Sequence, residues 1–318
     1  MKLFKSKIFN ILKLFIGIGI ILYLLYKIDI YEVKNVIFNA KLGYILIAFS
    51  LLFMFHLLSA INLKYLMDPL SKIKLRVWLT YYLFSYGLSL FTPGQIGEMT
   101  IPYFLKKEGV KLGRGTAIFI LNKLISFSIL IVFAFYGIMI LFSVTFSLIL
   151  YPLAVLVFLI ITSIVLFSKK GRNFIQKHIL KSYAQKFEGF SEALNFLFKN
   201  KKSRFIISTL LVILKLLIYG IMFMNLFLAF NTYVSPIKII FIAAIAAIVA
   251  LIPLTPQGLG LRESIAVLLF SQLGIAVAIV AAAYLINLFL CYLLGGASII
   301  GYILPIKHTK NLKVKQKL

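Results

Sequence analysis

Two of the long apolar runs in this chain break at the same short motif, and that repeat limits the available folds more than any other feature. The first copy reads Thr92-Pro93-Gly94-Gln95-Ile96-Gly97 and the second, 163 positions on (92 to 255), reads Thr255-Pro256-Gln257-Gly258-Leu259-Gly260. A glutamate follows each copy, Glu98 or Glu263. Proline removes a backbone donor and, with paired glycines, stops a helix. Both runs therefore stop at a depth where a membrane helix would still lie in lipid, which is tolerated only inside protein or beside a wet cavity. Broken hydrophobic segments at corresponding places in two halves point to a transporter-type site.

The setting for the repeat is a membrane. The 318 residues are 62% hydrophobic and 13% charged, with mean hydropathy +1.05, where a soluble domain carries about 25% charged residues. Several apolar stretches exceed the ~20 residues needed to cross a hydrocarbon core. Uninterrupted spans are expected at about 8–28, 42–63, 115–142, 144–167, 205–230 and 274–304, with broken segments at about 77–105 and 237–272. The single cysteine, Cys291, allows no internal disulfide, and His56, His178 and His308 are too scattered for a metal site. No cofactor is expected.

The net charge of +26 suggests nucleic acid until its distribution is read. If each broken segment is a re-entrant hairpin, the N-terminus and residues 64–76, 106–114, 168–204 and 307–318 share one side, holding 26 of the 34 Lys and Arg residues. The opposite side holds Lys27, Lys34, Lys41 and Lys238, while Lys13, Lys123, Lys215 and Arg262 fall inside apolar segments. Positive charge marks the cytoplasmic side, so both termini are expected there, with the chain in the cell membrane. The first hairpin then enters from the cytoplasm and the second from outside, making units 42–142 and 205–304 an inverted repeat within one integral-membrane domain, 1–318. The first span lacks a small-residue cleavage site and is too long for a signal peptide. Within 168–204, apolar residues from Phe174 to Phe198 recur at three- and four-residue steps between lysines. That pattern reads as an amphipathic helix, either on anionic headgroups or as a solvated cap on the bundle.

An ionised side chain at mid-bilayer depth costs at least about 2.5–3.5 kcal/mol on insertion scales, so it needs a partner or a wet cavity. Glu98 and Glu263 are two of only 8 acids in the chain. Glu98 can pair with Lys123, and Glu263 with Arg262 or Lys215; either pair could fix helix register or surround a headgroup. Gly-rich breaks free backbone N–H groups that suit phosphate oxygens. Gln95, Asn122, Gln257 and Asn287 add amides, and His56 reads as an interhelical hydrogen bonder rather than a proton carrier. Asp29, Glu32 and Asp68 are too separated for an enzymatic cluster, and the glycine loops lack the lysine of a nucleotide-binding loop.

Phe91-Thr92-Pro93-Gly94-Gln95-Ile96-Gly97-Glu98 and Pro253-Leu254-Thr255-Pro256-Gln257-Gly258-Leu259-Gly260-Leu261-Arg262-Glu263 resemble segments of the transmembrane region of lysylphosphatidylglycerol synthases. This region also occurs as stand-alone, flippase-like membrane proteins, many of them archaeal, and the resemblance covers essentially the whole chain. It implies movement of lipids between leaflets without the soluble domain that attaches lysine to phosphatidylglycerol. Such proteins usually carry an arginine, often preceded by an acid, early in the span after the first hairpin; here Asn122-Lys123 stand there.

Together these readings give an all-α polytopic membrane protein with about six full transmembrane helices and two oppositely oriented re-entrant hairpins. The expected function is non-covalent movement of an anionic or polyprenyl-linked lipid between leaflets. The alternative is a subunit or enzyme of lipid or cell-envelope glycolipid modification, and a partner lipid-modifying enzyme fits either. The expected substrate-binding residues are Thr92, Pro93, Gly94, Gln95, Gly97, Glu98, Asn122, Lys123, Thr255, Pro256, Gln257, Gly258, Gly260, Arg262 and Glu263, with no catalytic or metal-binding residue.

Overall fold

The computed structural model describes residues 2–92, 96–142, 189–201, 203–250 and 254–315. Among them the regular elements are helices. They are α1 (Lys2–Ile28), α2 (Ile30–Phe38), α3 (Leu42–Met67), α4 (Leu75–Ser89), a 3-10 turn (Ile96–Thr100), α5 (Ile101–Lys107) and α6 (Leu112–Phe142). After the undescribed stretch come α7 (Phe190–Asn200), α8 (Ser203–Leu228), α9 (Pro236–Val249), α10 (Leu261–Gln272) and α11 (Val277–Lys315). Four stretches, Leu42–Met67, Leu112–Leu141, Ser203–Leu228 and Val277–Leu304, are long and apolar enough to cross a membrane. The first expected span lies in α1, whose apolar part is the shorter Phe15–Ile28. The expected span at 144–167 and most of the amphipathic stretch lie outside the described residues. Two local differences from the sequence reading stand out. The 29–41 connection forms the short helix α2, started by the Asp29 side chain accepting from Tyr31 N–H at 2.9 Å, and the last helix continues past residue 304 through Lys315.

The broken segments yield short helices because the breaks fall early. At 1.5 Å per residue, α4, α9 and α10 are each roughly 18–23 Å long, against about 30 Å of hydrocarbon. After α4 the chain folds back on itself. Tyr81 OH donates to Glu108 Oε1 at 2.7 Å, the Ser85 and Thr100 hydroxyls lie 2.8 Å apart, and Gly97 packs on the backbone of Leu88 and Ser89. These pairs march in antiparallel register towards the break. The Thr92 hydroxyl accepts from Gly97 N–H at 2.7 Å, and Thr100 donates to Gly97 O at 2.7 Å, so polar groups freed by the break are answered within it. The second break folds back similarly, with Gly258, at φ 75, against Ala250.

A methyl group on Gly97 would strike main-chain atoms that cannot rotate away. Gly97→Ala is therefore expected to lower stability by about 3 kcal/mol, the upper end for overpacking, seen as a lower melting temperature of the detergent-solubilised protein. Gly296→Ala is the control, since nothing lies within 4 Å of its added methyl and alanine favours the helix.

The two central long helices, α3 and α8, pair antiparallel along their whole length. Arg204 donates to Tyr65 O at one end, and Lys41 N–H donates to Ala229 O at 2.9 Å at the other. Midway, Lys215 Nζ sits 5.4 Å from the Phe55 ring centroid. Both helices have 26 residues and begin 161 positions apart (42 to 203), as do α4 and α9 (75 to 236). Each half also places its last long helix on the other half's short one. α6 meets α9 where a Cβ on Gly137 would lie 2.8 Å from Phe241 Cβ, and α11 meets α4 where one on Gly87 would lie 2.6 Å from Gly295 O. Small residues at these crossings let backbones approach closely, the packing that holds membrane helices together.

Candidate functional site

Where these helices meet, a cavity of about 240 Å³ opens between α3, α4, α6, α8, α9 and α11. Its polar wall comes from both halves. Glu98, on the turn after the first break, faces Lys123 of α6, with Lys123 Nζ 2.6 Å from Glu98 Oε2. Asn122 precedes that lysine on the wall. The second break contributes Gln257 and Arg262, and α8 contributes Lys215.

Gln257 ties the breaks together. It holds a left-handed backbone at φ 49, a conformation uncommon outside glycine. Its Nε2 donates to Ser89 Oγ at 2.7 Å, and Ser89 Oγ donates to Tyr86 O at 2.7 Å. One amide thus bridges the end of α4 and the loop before α10, beside the cavity.

Arg262 opens α10 and leans on Tyr219 of α8. Its guanidinium donates to the Tyr219 hydroxyl, with Cζ 5.4 Å from that ring's centroid, a cation–π contact that strengthens away from water. Its Nε is buried without a hydrogen-bond partner, as are Asn122 Nδ2 and His56 Nδ1. Glu263 differs from the expectation that it pairs with Arg262 or Lys215. Its Oε2 accepts from Gly260 N–H at 2.6 Å, the reach-back of a residue three positions into a helix. It lines a separate pocket of about 10 Å³ with Gly260, against α1. The cap forms because Gly260 N–H would otherwise be an orphan donor at the helix start.

Of the expected site residues, Glu98, Asn122, Lys123, Gln257 and Arg262 converge on the cavity. Thr92 and Gly97 are engaged in the first fold-back. Thr255, Pro256 and Gly258 are buried in the second, and a Cβ on Gly260 would sit 2.7 Å from Ile20 Cβ of α1. Pro93, Gly94 and Gln95 lie outside the described residues. The structure adds Lys215, Tyr82, Tyr86 and Tyr219 to the cavity wall, with His56 tilted against Tyr86 at 3.8 Å between centroids.

Asn287 and Cys291 also line the wall, at the same positions counted from the start of α11 (277) as Asn122 and Ser126 hold from the start of α6 (112). The motif spacing hid this pair. The motifs recur after 163 positions, whereas these two helices begin 165 apart (112 to 277).

A family model described as the lysylphosphatidylglycerol synthase TM region matches residues 10–297. The comparison with curated proteins found no match. The family match takes in both breaks, three of the four long apolar helices with most of the fourth, and the whole cavity wall, and it makes the protein an integral membrane protein related to lipid modification or transport: the chain belongs to the lysylphosphatidylglycerol synthase transmembrane-region family.

Proposed function

We propose that this protein moves an anionic or polyprenyl-linked lipid between leaflets of the cell membrane, drawing the headgroup through the cavity without covalent chemistry. One observation carries the reading: three cations and one carboxylate from both halves face a single 240 Å³ cavity in a helical membrane protein. Charges at such depth are expensive and mark substrate paths by default. An excess of positive charge there favours a negative headgroup.

The folded-back short helices support re-entrant hairpins, and the matched lengths and exchanged partners of the two halves support an inverted repeat. In that architecture sites sit at the midplane, on discontinuous helices. Asn122 with Ser126 and Asn287 with Cys291 then form opposed walls of one site. Six spans with cytoplasmic termini follow from the charge distribution. An apolar groove of about 340 Å³, lined by Ile18, Leu22, Phe91, Leu259, Leu288 and Tyr292, borders the same stretch of α11. Leu288 and Tyr292 directly follow the cavity residues Asn287 and Cys291, so this stretch offers a polar face to a headgroup and an apolar face to acyl chains.

Leaflet exchange of a fluorescent anionic phospholipid in proteoliposomes tests the proposal. Wild-type protein should accelerate exchange above protein-free vesicles. Arg262→Gln should cut the accelerated part by roughly tenfold, the scale of one lost charged hydrogen-bond donor. Exchange at the protein-free rate with folded wild-type protein would refute the reading.

A further inference from the structure

We propose that Lys215 recognises the phosphate oxyanion of the translocated lipid and so makes the site selective for phosphate-bearing anionic headgroups. The inference rests on the transport reading and narrows it to one residue and one ligand chemistry. The cavity's other cations are already engaged: Lys123 by Glu98, and Arg262 by the Tyr219 hydroxyl and ring. Among the described residues Lys215 has no carboxylate within 4.0 Å and no hydrogen bond; its recorded contact is the Phe55 ring. An ammonium group is strongly hydrated and carries three donors, which leaves them for a ligand or water in the cavity.

The geometry brings a second donor close. Lys215 rests on Phe55 and Arg262 on Tyr219, and those two rings are 6.0 Å apart. The buried, unpartnered Nε of Arg262 gives a second N–H for the same anion. Asn122 Nδ2, also without a partner, supplies a neutral donor on the facing wall. Donors of this kind leave a carboxylate-poor cavity matched to oxyanions. Its volume, about 240 Å³, suits a small phosphate headgroup better than an oligosaccharide.

Position adds a mechanical reason. With α3 and α8 antiparallel and offset by 161 positions, Lys215 is the counterpart of Met54 yet packs on the neighbouring Phe55. Equivalent positions therefore meet in mid-helix, and Lys215 sits where the two halves of the inverted repeat cross. A cation there lines one cavity with Glu98 after the first break and Gln257 of the second, so it can hold an anion whichever side the cavity faces.

The test uses full-length protein in nanodiscs with three probes: a short-chain fluorescent phosphatidic acid, the matching phosphatidylcholine, and inorganic phosphate as competitor. Lys215→Met should weaken phosphatidic acid binding about tenfold or more, as expected when one charged donor is lost, and Lys215→Arg should retain most of it. Phosphatidylcholine should bind weakly to every variant. Thermal stability of Lys215→Met should match or exceed wild type, because removing an unpaired cation from the membrane removes its desolvation cost.

Equal phosphatidic acid affinity in wild type and Lys215→Met overturns the inference. So does a large stability loss in Lys215→Met with binding per folded molecule unchanged, which makes the lysine structural. If inorganic phosphate competes as well as the lipid does, oxyanion recognition stands and the lipid as its source falls. If Lys215-dependent binding persists while wild-type vesicles exchange lipid only at the protein-free rate, the transport reading falls, and with it the translocated lipid as the ligand's role, while phosphate recognition by Lys215 stands.

Discussion

Glu98→Gln should lower the thermal stability of the protein, and Lys123→Met added to it should restore that stability. Lys123 Nζ and Glu98 Oε2 are 2.6 Å apart, with side chains 26% and 18% exposed. Removing one partner of a fully buried pair costs about 3–5 kcal/mol, because the other charge is left desolvated and alone. Partial exposure to the cavity lets water take up some of that cost, so about 2 kcal/mol is expected here. Glutamine keeps the shape and hydrogen-bonding capacity of Glu98, so the loss reports charge rather than packing. The double variant is neutral on both sides and has nothing unpaired to penalise.

Leaflet exchange on the same samples separates two roles for the pair. If the pair contributes to headgroup passage, the stable double variant exchanges anionic lipid at close to the protein-free rate. Full exchange in the stable double variant would reject the site assignment and leave Glu98 and Lys123 as a register device between the first break and α6.

The breaks were legible in the sequence because proline and glycine act locally. Thr92 and Gly97 are five positions apart, and the structure uses both to close one fold-back. Four of the expected membrane helices were equally legible, since length and hydropathy suffice. Glu98 with Lys123 could be read as a pair because few charges lie inside apolar segments and each needs a partner.

What escaped the sequence depends on packing between helices. Lys215 looked like one possible partner for Glu263, because sequence does not reveal that α3 and α8 pair antiparallel and turn this lysine onto Phe55. Glu263 looked like a site charge, but the helix start competes for it and wins through Gly260 N–H. The kinship of Asn122 and Asn287 was hidden by loops of unequal length, which shift the halves by 161 positions at α3 and α8 and 165 at α6 and α11.

Cysteines introduced one at a time should react with an impermeant thiol reagent in a fixed pattern. Lys72→Cys and Lys111→Cys should both label only from the cytoplasmic face, and Ser235→Cys only from outside. Cys291, half-buried in α11, is replaced by Ser in the background so that each signal has one source. Lys72 precedes α4 and Lys111 follows α5. Between them the chain reaches the break and returns, as the Tyr81–Glu108 contact of 2.7 Å near the mouth requires. On the proposed re-entrant reading, a chain that comes back to its starting level keeps both flanks on one side, which is the outcome expected here.

The charge distribution chooses which side. Lys64, Lys72, Lys74 and Arg76 before the hairpin, and Lys106, Lys107, Lys111 and Arg114 after it, all favour the cytoplasm. On the proposed topology the stretch from Ser203 to Leu228, long and apolar enough to cross a membrane, carries the chain out, so Ser235, the residue before α9, is expected outside. The effect is all-or-none, and each position is scored against the same cysteine in permeabilised cells. Lys72→Cys and Lys111→Cys labelling from opposite faces would make the first broken segment a full crossing. The two breaks would then enter from the same side, and the cavity could no longer lie between oppositely oriented halves.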